Sequence, residues 1–168
     1  MIAAAPRAAI PVTILHNGWY IENYTASIPQ ALANGAFIGS AGKGKLSLAT
    51  RADYADAAVS ILTGEGHEGK TYELAGDEAV TLADLAAELS RATGRDIPYK
   101  NLPQDIFAGI LKEAGIPDGF AEGLAAWDVC ASQGALFDDA RQLSALIDRP
   151  TTTLAQAVRD ALPAMTPA

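Results

Sequence analysis

Two hydrophobic rhythms run along this chain. Ile10 to Leu15 is a short apolar run with β-branched residues, and it predicts a strand buried on both faces, of the kind found in parallel sheets covered by helices. Thr71 to Ala75 predicts a second strand closed by Gly76, and Ile97 to Asn101 a third, shorter one. Between them the spacing turns helical. Leu82, Leu85, Ala86 and Leu89 fall on one helix face, opened by Thr81 and Asp84 in a capping-box arrangement and closed by Gly94. Glu22 to Asn34 predicts a short helix bent or interrupted by Pro29, with Gly35 past its end. Thr50 to Gly64 predicts another helix, with Asp53 serving the open N–H groups of its first turn. Ala36 to Gly39 and Leu46 to Ala49 flank the Gly-rich turn SAGKGK and predict a small extended pair. Asp105 to Ala114 and Gly119 to Ala126 predict helices parted by GIPDG. Asp138 to Ile147 and Thr153 to Leu162 predict the last two helices, separated by DRPTT. The alternation is an α/β pattern, poor in strands for so many helices.

Composition narrows the classes without naming one. The 168 residues suffice for one domain with a real core, read as residues 10–168 after an irregular start at 1–9. The net charge of −8 argues against a nucleic-acid surface, which needs clustered Lys and Arg. The one cysteine, Cys130, cannot form an internal disulfide, so a reducing cytoplasm is the simplest expected home. No apolar run approaches the roughly 18 residues of a membrane span. The opening MIAAAPRAAIP is too weakly apolar for a signal peptide.

The most specific stretch is HNGWYIENY, residues 16 to 24, just past the first strand. In a sequence with 7% aromatic residues, Trp19 and Tyr20 stand together there. They are either core plugs or the rim of a ligand site.

Four segments carry a family likeness. VTILHNGWYIENY, ATRADYADAAVSIL, the stretch from Lys70 to Leu102 and FDDARQLSALIDRPTTTLAQAV follow one another as they do in NmrA-like, atypical short-chain dehydrogenase/reductases, and the Asn-Gly-Trp-Tyr motif resembles that family's quinone-reducing branch. The resemblance spans about Ile10 to Leu162 and implies the C-terminal part of a Rossmann-like NAD(P)-binding fold with a small α+β subdomain. The family's Gly-rich dinucleotide fingerprint, in which glycines let the backbone reach the pyrophosphate at a helix N-terminus, has no counterpart in this sequence. SAGKGK lies between extended segments rather than between strand and helix and reads as a turn. The sequence is therefore expected to be a C-terminal half, with residues 1–9 a new or frayed start.

The resemblance implies that Asn17, Gly18, Trp19, Tyr20, Ile21 and Glu22 border the nicotinamide end of NADPH, with Gly18 allowing close backbone approach. It implies a quinone substrate, with Trp19, Tyr20, Trp127 and Phe137 on the pocket rim. Flat side chains give a planar ring contact area. Packing between sheet and subdomain explains the same aromatics without a ligand. No catalytic residue is assigned. His16 stands where the family often has Arg, which weakens a phosphate-contact role; it could donate a proton. The Tyr and Lys four apart of classical short-chain dehydrogenases are absent. His67 reads as solvated, Cys130 as a small buried residue, Arg51 and Asp53 as an ion pair at a helix start, and Asp138 and Asp139 as first-turn carboxylates. No spacing suggests a metal site. Three functions compete: NAD(P)H-dependent quinone reduction, a non-catalytic dinucleotide-sensing or regulatory protein, and a chain without activity of its own. A sheet edge lacking its neighbours also predicts self-association.

Overall fold

The computed structural model describes residues 10–162. The expectation for residues 1–9 lies outside the described residues. The strand β1 (Ile14–Asn17) pairs in parallel with β3 (Thr71–Leu74), in the register Ile14 to Thr71 through Asn17 to Leu74. A second parallel pair joins β2 (Phe37–Gly39) to β4 (Tyr99–Asn101). Among the described residues eight helices surround these pairs: α1 (Glu22–Thr25), α2 (Ile28–Asn34), α3 (Arg51–Thr63), α4 (Leu82–Thr93), α5 (Gln104–Glu113), α6 (Asp118–Ser132), α7 (Gln142–Ile147) and α8 (Leu154–Ala161). The mixed α/β class with parallel strands agrees with the sequence pattern. No described helix is long and apolar enough to cross a membrane.

Each strand pair has its own core. Around β2 and β4, the face Leu82, Leu85, Ala86 and Leu89 of α4 packs with Ile28, Phe37, Leu46, Ile97 and Val158. Around β1 and β3, Tyr54, Ala57, Leu74 and Leu143 pack together. The two are stitched by backbone bonds from Ile21 N–H to Ala49 O (2.9 Å) and from Gly76 N–H to Ser47 O (3.0 Å). The second crossing needs glycine, because a Cβ at Gly76 would lie 1.8 Å from the Leu48 carbonyl oxygen.

Local chemistry sets most boundaries. Thr50 with Asp53, and Thr81 with Asp84, form complete capping boxes at α3 and α4. Pro29 does interrupt the helix after Glu22: α1 ends at Thr25 and α2 restarts with Pro29 in its first turn, where a missing N–H costs nothing. Thr153 caps α8 by accepting from Gln156 N–H.

Several expectations are corrected. Ile10 to Leu15 is not a strand buried on both faces. Pairing as a strand begins at Ile14, Ile10 is 71% exposed and Val12 46% exposed, and among the described residues β1 has a strand neighbour on one side alone. The segments flanking SAGKGK do not pair with each other. Phe37–Gly39 pairs with β4, while Leu46 bridges Val80 and Ala49 bridges Tyr20. Asp138 and Asp139 precede α7 instead of opening it, and the Asp138 backbone is held by the Ser47 hydroxyl. Helix α6 continues past Ala126 to Ser132, and Cys130 on it is exposed. His67 is half-buried, with Nδ1 2.8 Å from the Tyr72 hydroxyl.

Candidate functional site

The sheet ends where open α/β sheets receive ligands, at the carboxyl ends of parallel strands. Gly18 extends the pairing of β1 by donating its N–H to Leu74 O at 2.8 Å. Two residues on, Tyr20 bridges Ala49 in parallel, so the loop is clamped between β3 and the segment leading into α3. A cleft of about 220 Å³ opens beside it, lined among others by His16, Asn17, Trp19, Glu73, Leu136 and Phe137. Its far wall is fixed because the Ser47 hydroxyl donates to Asp138 O at 2.7 Å.

The residues singled out in the sequence divide into four groups. Asn17, Gly18, Trp19 and Phe137 share this cleft. Trp127 lies on α6 and meets Trp19 edge to face, with ring centroids 5.4 Å apart. Tyr20 and Glu22 turn toward the start of α3. The Arg51 guanidinium sits 4.8 Å over the Tyr20 ring, and Glu22 Oε1 accepts from Arg51 N–H at 2.9 Å. Arg51 therefore pairs with Glu22, not with Asp53 as its sequence position suggested; the partner of Asp53 is Arg149, at 2.7 Å. Ile21 is 2% exposed and its side chain belongs to the core. The space a Cβ at Gly18 would need is taken by Leu74 O at 2.9 Å and the Tyr54 hydroxyl at 3.1 Å, so its lack of a side chain serves the fit of loop to sheet and helix.

Two polar atoms of residues lining the cleft are left without partners. Neither the Trp19 indole N–H nor His16 Nε2 has a hydrogen-bonding neighbour, although both atoms are shielded from solvent. The other His16 nitrogen, Nδ1, lies 2.6 Å from Glu73 Oε1. Buried polar atoms are normally satisfied, so such orphans mark a place for polar groups of a ligand: an acceptor for the Trp19 N–H, and a donor for Nε2 of a neutral imidazole whose Nδ1–H is given to Glu73. A carboxamide or quinone carbonyl is an acceptor of this kind. The ring end of a nicotinamide dinucleotide carries such a carboxamide. No Gly-rich strand-turn-helix for its pyrophosphate occurs in the sequence.

Sequence reasoning missed a second polar cluster. Asp128 on α6 is buried, and it accepts from the Tyr24 hydroxyl at 2.9 Å and from Ser40 N–H at 2.7 Å. Burial pushes its carboxyl above the ordinary range, against the lowering effect of those two bonds. Tyr24 and Asp128 are 104 positions apart, and no local spacing announces them. Glu73 was legible in principle, as the one charged position in the strand TYEL.

No family model matches the chain. Quinone oxidoreductase 2 of Escherichia coli is 57% identical over 151 residues, which are 90% of this chain and 53% of that protein. A crystal structure of an Escherichia coli NADPH-dependent quinone oxidoreductase complexed with NADPH superposes with a TM-score of 0.87 at 56% identity, over 90% of this chain and 54% of that one. The Citrobacter triphenylmethane reductase complexed with NADP(H) superposes with a TM-score of 0.86 at 33% identity, over 91% of this chain and 54% of that one. The chain spans about half the length of the relatives it matches.

Proposed function

Because this chain belongs to the NmrA-like atypical short-chain dehydrogenase/reductases, we propose that it forms the nicotinamide- and quinone-facing part of an NADPH-dependent quinone reductase. The observation that carries the proposal is the cleft at the carboxyl ends of β1 and β3, where the Trp19 indole N–H and His16 Nε2 have no partner. The similarity to an Escherichia coli quinone oxidoreductase supports the same reading.

In this reading NADPH, when bound, supplies the hydride that reduces the quinone. The residues of the chain supply position. Trp19 and Phe137 offer flat faces to planar rings, and Asn17 offers an amide. The orphaned Trp19 indole N–H holds an acceptor oxygen of the ligand, His16 Nε2 takes a donor group, and the backbone clamp from Leu74 to Gly18 and from Ala49 to Ile21 keeps both residues fixed. The Glu73 carboxylate accepts from His16 Nδ1–H and so fixes the orientation and tautomer of the imidazole beside the cleft. Contacts to the pyrophosphate and adenosine are not supplied by this chain, which is expected to be inactive alone.

A chimera tests the proposal. The part of Escherichia coli quinone oxidoreductase 2 that aligns with this chain is replaced by it, and NADPH oxidation with a simple benzoquinone is followed. The chimera is expected to reduce the quinone, and Trp19→Ala within it to lower kcat/KM about tenfold, near 1.4 kcal/mol of transition-state binding. A folded chimera without quinone reductase activity would contradict the reading.

A further inference from the structure

We propose that the apolar groove running from Trp19 between β2 and α5 receives a hydrophobic side chain carried by the quinone, which makes alkyl- or prenyl-substituted quinones the preferred substrate class. The inference rests on the functional reading above and extends it to a part of the molecule outside the ring cleft. Trp19 lines both places. On one side it borders the cleft at the ends of β1 and β3, and on the other it borders a groove with Phe37, Ile38, Phe107 and Leu111. The same four residues continue into a second segment that ends at Ile110 and Ala114, both exposed.

The chemistry of the groove selects its occupant. In its second segment no side chain carries a charge, and the polar rim consists of Ser27, Gln30 and Asn34. The one carboxylate, Asp128, stands at the Trp19 end, where the Tyr24 hydroxyl and Ser40 N–H already engage both of its oxygens. A phosphate or a cation would find no partner inside. The two segments measure about 70 and 100 Å³, well below the roughly 300–1,000 Å³ of pockets that enclose a drug-sized ring system. A slim flexible chain fits such a space; a second ring or a helix does not. The start of the groove beside Trp19 puts the head of that chain next to the ring cleft.

The chain carries its own reporter, since its two tryptophans, Trp19 and Trp127, touch each other at the mouth of the groove. The purified 168-residue chain is titrated with 2,3-dimethoxy-5-methyl-1,4-benzoquinone and with its 6-decyl analogue, and tryptophan quenching is recorded. Both should quench saturably, the decyl compound with a Kd at least tenfold lower. Ile110→Asp, at a position 37% exposed, and Leu111→Ala should each remove most of that gain and leave the Kd of the tailless quinone within twofold. Decyl maltoside, a tail without the ring, should bind at least tenfold more weakly than the decyl quinone. Equal Kd values for the two quinones, or a gain that survives both substitutions, would overturn the groove assignment while leaving the functional reading in place. Equal binding of decyl maltoside would make the groove a general amphiphile site and overturn the quinone assignment. Absence of saturable quenching by either quinone would overturn the functional reading, and this inference with it.

Discussion

Arg149 reaches across 96 positions of sequence to place its guanidinium 2.7 Å from Oδ1 of Asp53, a residue with no exposed surface. Thr50 and Thr152 donate to the same carboxylate, and Arg149 also pairs with Asp56. The contact ties the segment after α7 to the first turn of α3, the helix whose N-terminus faces Tyr20 and Glu22.

Burial alone would raise the Asp53 carboxyl, but the bonds from Thr50, Arg149 and Thr152 outweigh it and hold the group below its ordinary value of 3.8. A carboxyl depressed in the folded state contributes stability that is present above the unfolded value and lost as pH falls through the folded one. Arg149→Ala should therefore destabilise the chain by about 1–2 kcal/mol at neutral pH, a range discounted because the arginine is partly exposed. It should also raise the midpoint of acid unfolding. Urea denaturation at pH 7 and an acid titration followed by circular dichroism read both effects. An unchanged acid midpoint would contradict this assignment.

Asp128 behaves in the opposite sense. Its carboxyl is raised by burial, so its contribution is fully present below the unfolded value and is lost as pH rises through the folded one. Asp128→Asn keeps an oxygen for Ser40 N–H and offers an amide N–H to the Tyr24 oxygen, so at neutral pH it should change stability by less than about 1 kcal/mol. Asp128→Leu leaves both donors orphaned and should cost about 2–4 kcal/mol. Equal losses for the two substitutions, measured by urea denaturation, would mean that the volume of the site and not its hydrogen bonding governs stability.

The strand β1 pairs with β3 alone among the described residues, and exposed Val12 lies just before it. Rows of unpaired N–H and C=O groups template pairing with another chain. Sedimentation velocity over a hundredfold concentration range should show reversible association, reduced by Val12→Lys. A monomer at every concentration would argue that the edge is protected.

The elements were legible where local chemistry decides them. Thr50 with Asp53, Thr81 with Asp84, and Pro29 after Ser27 each act within a few residues, and the helices begin where these signals stand. Strand pairing was not legible in the same way. Phe37–Gly39 looked set to pair across its own Gly-rich turn, yet the fold gives it Tyr99–Asn101, because a parallel partner must come from a distant crossover. At the candidate site, the Asn-Gly-Trp-Tyr motif lies at a strand end beside the cleft. It could not show that Ile21 is core, that Glu22 accepts from the start of α3, or that Trp19 touches Trp127. Those facts depend on which distant element packs against each side chain. The Tyr24 to Asp128 bond and the pairing of Asp53 with Arg149 escaped for the same reason.

The central claim is that this chain supplies the ring-facing side of the site while its sequence lacks the elements that hold the dinucleotide phosphates. Loss of several charge-assisted hydrogen bonds, each worth about 1.5–3 kcal/mol, is enough to offset a micromolar affinity of about −8 kcal/mol. Calorimetric titration of the purified 168-residue chain with NADPH tests this most directly. The account predicts weak binding, with a Kd in the millimolar range, or no measurable heat. A saturable titration with a micromolar Kd for the chain alone would contradict it and place the phosphate-binding elements within these residues.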